Sequence, residues 1–496
     1  MVKQSRENSK EQVSVFQRED VQYWLFGIIF ILGFNASIYV AGHLRHWDAT
    51  SGFTHNTSAT SKDRFLPEPF IEEPGVKGRH GANADGRWYY WKLPPDQATV
   101  VTRLSVWLCY AGHQILIWWV IYQAQLSKSM DPGMTKYSSN VMNFNKKAVT
   151  INVLFHILHL LQTHVTYDAT AQDVSVASSQ SSVIMMAIFV FVIEYKERGL
   201  FFGWPTLRDT GTLSKTLRLD YKPIDLIRKY HAYPFAWAST YTFWYHPMEN
   251  TLGHVTGIFY TWIILLQGSL MYTHMHTNKY WRLFLEAWVA VHGYQVAIQT
   301  GGPALLGTTM WPMFAFGFLI MITVTQIFTI GALRRLPLLL RLVPFLSVLT
   351  LIIYSYSWIP NEKGQVWVRM PEVTRIAATY YMFVPLTWLI LRTLMKLQPY
   401  GSHSQRKLAD NPKSTLKHYV NLCFAFLIYL MMIWLSVHVQ KEDWTFHVIA
   451  IMVVLVFVFS TAVCITTVMF VQPAMETWLP RQPVDHRDNS STPKRD

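Results

Sequence analysis

Charge and cysteine are both scarce in this sequence. Only 15% of its 496 residues are Asp, Glu, Lys or Arg, against about 25% in an ordinary soluble domain. The three cysteines, Cys109, Cys423 and Cys464, all fall inside apolar stretches. With no Cys-x-x-Cys pair there is no disulfide framework to read, and the thiols serve as small buried packing groups. Also missing are a P-loop, a G-x-S-x-G elbow, an H-E-x-x-H zinc motif and a dinucleotide fingerprint, so none of the chemistry these motifs carry is indicated. No internal repeat is visible, and low-complexity sequence is confined to the tails.

What is present is apolar sequence in long runs. Hydrophobic residues make up 51% of the chain, and residues 24–40, 183–193, 255–272, 314–330 and 446–471 form runs broken by short polar links. Several reach the roughly 20 residues that a helix needs to cross a bilayer, whereas a barrel would show short alternating segments. The first run is long for the apolar part of a signal peptide and ends without a small-x-small cleavage site, so it reads as a retained span. The fold class is therefore an all-α polytopic integral membrane protein, in the plasma membrane or an endomembrane. The net charge of +13 sits in the links, where topology accounts for it without nucleic acid as a partner.

Those charges orient the spans. The polar segment 43–98 carries Asn56-Thr57-Ser58, an N-glycosylation acceptor on an outer face. The link from Lys128 to Lys147 is basic and belongs in the cytoplasm, the link with Asp168 and Asp173 is acidic and belongs outside, and the long basic link from Glu194 to Tyr233 returns inside. Arg334, Arg335 and Arg341, then Arg406, Lys407, Lys413 and Lys417, mark further inner links. Because Lys279 and Arg282 should also face the cytoplasm, residues 233–272 must form two spans hinged at 246–250. The expected architecture is about 12 transmembrane helices with both termini cytoplasmic. It divides into a polar tail (1–20), a histidine-bearing region (21–333) with an outer loop at 43–98, C-terminal helices (334–471) and a second polar tail (472–496).

The unusual chemistry lies in the 19 histidines, many of which fall in or beside spans. An ionisable side chain at that depth faces the protein interior or a water-filled cavity. His156 and His159 are neighbours on one helix face, and His164 lies roughly 80° from His156, so the three share a sector. The hinge places His246, Glu249 and His254 at the same outer end as His164. Histidine with carboxylate is a ligand set for iron, zinc or copper, and mid-span histidines suit haem. His156, His159, His164, His246, Glu249 and His254 are thus candidate metal ligands, with His113 and His292 as candidate proton or electron relays. Glu286 lies about 120° around its helix from His292. His274 and His276 read as an interfacial link. No His-His pair occurs, so the dense histidine boxes of membrane di-iron hydroxylases are absent. Gly301-Gly302-Pro303 with Leu306-Gly307 reads as an outer link, and Pro234, Pro247, Pro312, Pro344 and Pro385 as kinks or helix starts. Beyond Leu333 the spans hold almost no mid-depth ionisable residue apart from Arg392.

Two function classes fit. The leading one, because histidine is concentrated at one depth and on few spans, is a metal- or haem-dependent membrane oxidoreductase acting on a lipid-soluble substrate. The other is a proton-coupled secondary transporter or channel that works through intramembrane His and Glu. A non-catalytic membrane scaffold is the third and plainest. The partners expected are membrane lipids and a small lipid-soluble or polar substrate.

Overall fold

The structure is a computed structural model that describes residues 15–44, 99–130, 137–166, 173–174, 176–206, 209–246, 248, 250–300, 311–361, 363–397, 431, 434, 451 and 453–458. Most of the outer loop with Asn56, the Gly301–Gly307 link, Pro247, Glu249, Cys423, Cys464, the 406–417 link and most of the last apolar run lie outside them. So do both tails, apart from the end of the first, and the side chain of His164.

Every regular element among the described residues is helical. In chain order they are α1 (Glu19–Leu44), α2 (Val100–Met130), α3 (Asn143–Thr166), α4 (Val176–Arg198), α5 (Thr212–Leu217), α6 (Tyr221–Tyr230), α7 (Ala232–Trp244), α8 (Leu252–Ser269), α9 (Lys279–Thr300), α10 (Trp311–Val324), α11 (Gly331–Arg335), α12 (Leu338–Tyr356) and α13 (Thr374–Leu397). Five segments are long and apolar enough to cross a membrane: Glu19–Leu44, Val100–Lys128, Trp311–Thr329, Leu338–Tyr356 and Met370–Thr393. In α12 that apolar window is only 6% buried, and Leu338, Leu339 and Leu351 stand exposed. A helix that turns leucine outward all along its length needs hydrocarbon as its solvent. The chain is a helical membrane protein.

Local chemistry explains where the helices stop. Residues 233–272 divide into α7 and α8, which pack on one another, and the Thr251 hydroxyl starts α8 by accepting from the His254 N–H at 3.3 Å. Gly199 ends α4 at a φ of 70°, with the Trp204 backbone 2.7 Å from where a Cβ would stand. Within the basic link that follows, α5 and α6 are short helices. Pro223, Ile224, Ile227 and Tyr230 bury one side of α6, while Lys222, Asp225 and Lys229 stay exposed.

Asn145 is the tightest polar anchor. Its Nδ2 donates to the Ser269 and Met271 carbonyls at 2.7 and 2.9 Å, closing the C-terminus of α8. Its Oδ1 accepts from the Met142 N–H at 2.9 Å, closing the N-terminus of α3. Asn145→Ala is expected to orphan three buried backbone groups and to cost about 2–3 kcal/mol, read as an earlier thermal unfolding transition in detergent.

The links meet in two sets. Ser138 exchanges backbone hydrogen bonds with Tyr272 and His274 at 3.0 and 2.9 Å, and Asp20 accepts from the Met275 N–H at 2.8 Å. Arg341 donates to the Phe202 carbonyl at 3.1 Å, and the Phe202 N–H donates to Val324 at 2.8 Å. Apart from Asp20, at the end of a tail of mixed charge, these residues border links that carry excess positive charge. In the other set, Asp173 accepts from Trp107 Nε1 at 2.8 Å and pairs with Arg103.

Candidate functional site

A cavity of about 1200 Å³ runs through the bundle, lined by residues of α2, α3, α4, α6, α7, α8, α9, α10 and α13. Val183 and Phe191 of α4, and Phe314 and Phe318 of α10, give it an apolar wall. Five histidines line it: His246 in the α7–α8 turn, His254 in the first turn of α8 and His292 in α9, with His231 before α7 and His276 after α8. The rings of His246 and His254 stand 6.4 Å apart.

Hydrogen bonds set how each ring is presented. His246 donates from Nδ1 to the Thr242 carbonyl at 2.7 Å. The Thr256 hydroxyl spends its proton on the Leu252 carbonyl at 2.7 Å, so toward His292 Nδ1, 3.2 Å away, it acts as acceptor. His292 therefore carries its proton on Nδ1, with a lone pair on Nε2. His254 Nδ1 shares a 2.6 Å hydrogen bond with the Thr251 hydroxyl. Gly257 makes room for this group, because a Cβ there would stand 2.7 Å from His292 Cε1.

The other described histidine candidates lie behind the wall. His113, His156 and His159 are buried among aromatic rings and do not line the cavity. Trp244 Nε1 donates to His113 Nδ1 at 3.2 Å, and His113 Nε2 then donates to Asn152 Oδ1 at 2.9 Å. Asn152 Nδ2 donates on to Ser269 Oγ at 3.0 Å, and that hydroxyl ends the chain on the Leu265 carbonyl at 2.8 Å. The run ties α7, α2, α3 and α8 together with every donor used. His156 Nδ1 donates to the Asn152 carbonyl, and its Nε2 has no hydrogen-bond partner among the described residues. His159 Nε2 donates to the His246 carbonyl at 2.7 Å, and its Nδ1 meets the Gln162 amide at 2.9 Å. In a neutral ring Nδ1 accepts, which turns the Gln162 amide nitrogen toward it.

His164 belongs to α3 but its side chain, like all of Glu249, lies outside the described residues. Among the described residues no group of three or more His, Cys, Asp or Glu is placed to hold a metal ion.

The opposite end of the cavity is charged. Arg198 of α4 pairs with Glu286 of α9 at 2.7 Å, with both side chains under 10% exposed. Arg282 of α9 pairs with Glu194 of α4. Glu194, Arg282 and Glu286 all line the cavity. Arg198 uses one nitrogen on Glu286, and its Nε and Nη2 are buried without partners among the described residues, as are Arg282 Nε and Glu194 Oε2. The sequence signal for this cluster was available: Glu194 and Arg198 are four apart on α4, and Arg282 and Glu286 four apart on α9 with the signs reversed. Asn152, buried at the junction of four helices, had no such signal.

Comparison of the chain with known protein families, curated proteins and solved structures finds no match.

Proposed function

We propose that the chain is a multi-pass membrane transporter of secondary type that takes a small lipid-soluble or amphiphilic molecule into the interior cavity, with protons as the coupling ion. The cavity carries this reading. At about 1200 Å³ it exceeds the roughly 300–1,000 Å³ of ordinary small-molecule sites. It is walled by apolar side chains and ends in titratable groups at both extremities, His246, His254 and His292 at one and Glu194 and Glu286 at the other. Ionisable groups at such depth are the usual furniture of substrate and proton pathways.

The expected topology of about 12 spans with both termini in the cytoplasm belongs to the same proposal. It is supported by the way the links meet. Residues of the links placed inside by charge touch one another, and Asp173, placed outside, pairs with Arg103 in the first turn of α2, which follows the outer loop. In proteoliposomes holding the purified full chain, uptake of a hydrophobic anion or cation should follow an imposed pH gradient. His292→Ala and Glu286→Gln should each reduce it by tenfold or more, on the order of 1.4 kcal/mol of coupling. Uptake indifferent to the gradient and to both substitutions would sink the transporter reading.

A second reading remains because His246, His254 and His292 share one cavity wall. Among the described residues they are not placed as a metal-ligand group, so a metal- or haem-dependent oxidoreductase with a lipid-soluble substrate would need these imidazoles to draw together on binding. Elemental analysis and an absorption spectrum of the purified protein separate the two. A stoichiometric metal lost in His246→Ala would move the enzyme ahead.

A further inference from the structure

Glu194 and Arg198 stand four residues apart on α4, and Arg282 and Glu286 stand four apart on α9 with the signs in reverse order. On each helix the two charges are therefore neighbours, about 6 Å apart along the axis. The observed ion pairs nevertheless run between the helices, Glu194 with Arg282, and Arg198 with Glu286 at 2.7 Å. Both join residues 88 apart in the chain.

That equal offset has a geometric consequence, because α4 and α9 run in opposite directions. α4 lies antiparallel to α7, with Ser178 near its start sharing a 2.9 Å hydrogen bond with Tyr241 near the end of α7. α7 turns back into α8. α8 lies antiparallel to α9, whose Trp281 and Trp288 donate to Gln267 Oε1 and the Thr256 carbonyl at 2.7 and 3.2 Å. Between antiparallel helices, two pairs of equal offset must cross. Each charge then has both opposite charges close by: Arg198 lies in the field of Glu286 and Glu194, and Glu286 in that of Arg198 and Arg282.

A crossed square of this kind has a second pairing in which every charge still has a partner. Arg198 can bond Glu194 and Arg282 can bond Glu286, each within its own helix. Separating isolated buried ion pairs would leave bare charges behind, which is costly. Exchange within the square avoids that cost. The observed pairing is also incompletely satisfied, since Arg198 Nε and Nη2, Arg282 Nε and Glu194 Oε2 are buried without hydrogen-bond partners among the described residues. Such unmet atoms bring the two arrangements closer in free energy. The adjacent charges are engaged elsewhere, Lys196 with Asp225 and Glu197 with Arg334.

The position of the square is that of a gate. Glu194, Arg282 and Glu286 line the cavity between its apolar wall at Val190, Phe191 and Phe318 and the end bordered by Asp225, His231 and His276. We propose that the four side chains form the inner gate of the cavity, and that it opens when each arginine turns from the carboxylate of the opposite helix to that of its own, letting α4 and α9 part. The inference rests on the transporter reading and names how its cavity is opened to the cytoplasm. No charge is created or lost in the exchange.

Charge swaps separate the two arrangements. Glu194→Arg with Arg282→Glu keeps both pairs between the helices but puts like charges together within each helix, so it locks the gate shut. Glu194→Arg with Arg198→Glu keeps the pair within α4 but opposes like charges across the cavity, so it holds the gate open. Reversing all four charges restores both pairings. The readout is the rate at which a membrane-impermeant maleimide labels Val190→Cys, one turn beyond Glu194, in inside-out vesicles holding the full chain. Each variant is compared with its counterpart lacking Val190→Cys, which subtracts the native cysteines. The locked swap should label at least about tenfold more slowly than Val190→Cys alone, and the open swap at least about tenfold faster. The fourfold swap should return to within about twofold. The locked swap should also keep the thermal transition of the parent, which a merely damaged fold would not. Where a swap does not fold, Glu194→Gln with Arg282→Met removes one strap without leaving a charge, and its labelling should rise by about tenfold. Unchanged labelling in the variants that fold, or a fourfold swap no closer to the parent than the locked one, would overturn the gate. Proton-driven uptake by the unsubstituted chain is measured separately. Its absence alongside the expected labelling rates would remove the transporter reading and leave the exchanging square in place.

Discussion

Arg198→Met is expected to be the most destabilising single substitution in the chain. The guanidinium is 1% exposed and donates to Glu286 at 2.7 Å and, more loosely, to Thr329 Oγ1 at 3.5 Å. Removing it strands a carboxylate that is 8% exposed, and breaking one side of a buried ion pair costs about 3–5 kcal/mol. Against a typical total of roughly 5–15 kcal/mol, that should depress the thermal transition severely and lower the yield of folded protein. The double substitution Arg198→Met with Glu286→Leu removes both charges and should recover most of the loss. Intrinsic tryptophan fluorescence during heating in detergent reads all three proteins. A single variant as stable as the parent, or a double variant no better than the single, would show that the pair does not pin α4 to α9. Arg282→Met should matter less, because that side chain is 25% exposed and water screens what is left behind.

The charges at issue were visible in the sequence but carried a different message there. Arg198 stood among the basic residues of a cytoplasmic link, and that role as a sidedness marker hid its pairing across the cavity. The same rule divided the chain at one point where the structure also divides it, although neither resulting helix is among the five segments long and apolar enough to cross a membrane. It required two helices in 233–272, and α7 and α8 are there. Asp173, which it put in an outer link, pairs with Arg103 at the start of α2. Periodicity found the shared face of His156 and His159 but could not tell which histidines reach a cavity. That depends on where α7 and α8 cross α3, and crossing angles leave no trace in a single apolar helix. So His246, His254 and His292 share the wall while His113, His156 and His159 sit behind it, bonded to Asn152, Gln162 and backbone. His276 was read as interfacial and His231 drew no notice, because their places on the cavity wall depend on the fold of two separate links. Glu249 and the side chain of His164 fall outside the described residues.

The second large effect is expected at Gly257, and it acts on function more than on stability. The Cβ of an alanine there would lie 2.7 Å from His292 Cε1, 3.3 Å from Nε2 and 3.4 Å from Nδ1. The ring must move, and its 3.2 Å hydrogen bond to the Thr256 hydroxyl moves with it. Overpacking of this kind costs about 1–3 kcal/mol, well short of the Arg198 effect. Displacing an ionisable group from the cavity wall, however, should lower proton-driven uptake as far as His292→Ala does. Gly268 supplies the internal control. It lies on the same helix with nothing among the described residues within 4 Å of a built Cβ, so Gly268→Ala should leave uptake unchanged and stability equal or higher by about 0.5–1 kcal/mol. Pairing Gly257→Ala with His292→Ala then distinguishes the causes. If the glycine acts only by making room for the imidazole, the second substitution adds no further loss of uptake and relieves part of the stability cost. Additive losses would mean that Gly257 matters for the approach of α8 to α9 and that the position of His292 is incidental. Full uptake in Gly257→Ala would remove His292 from the proton path altogether, and the coupling would then have to lie with Glu286.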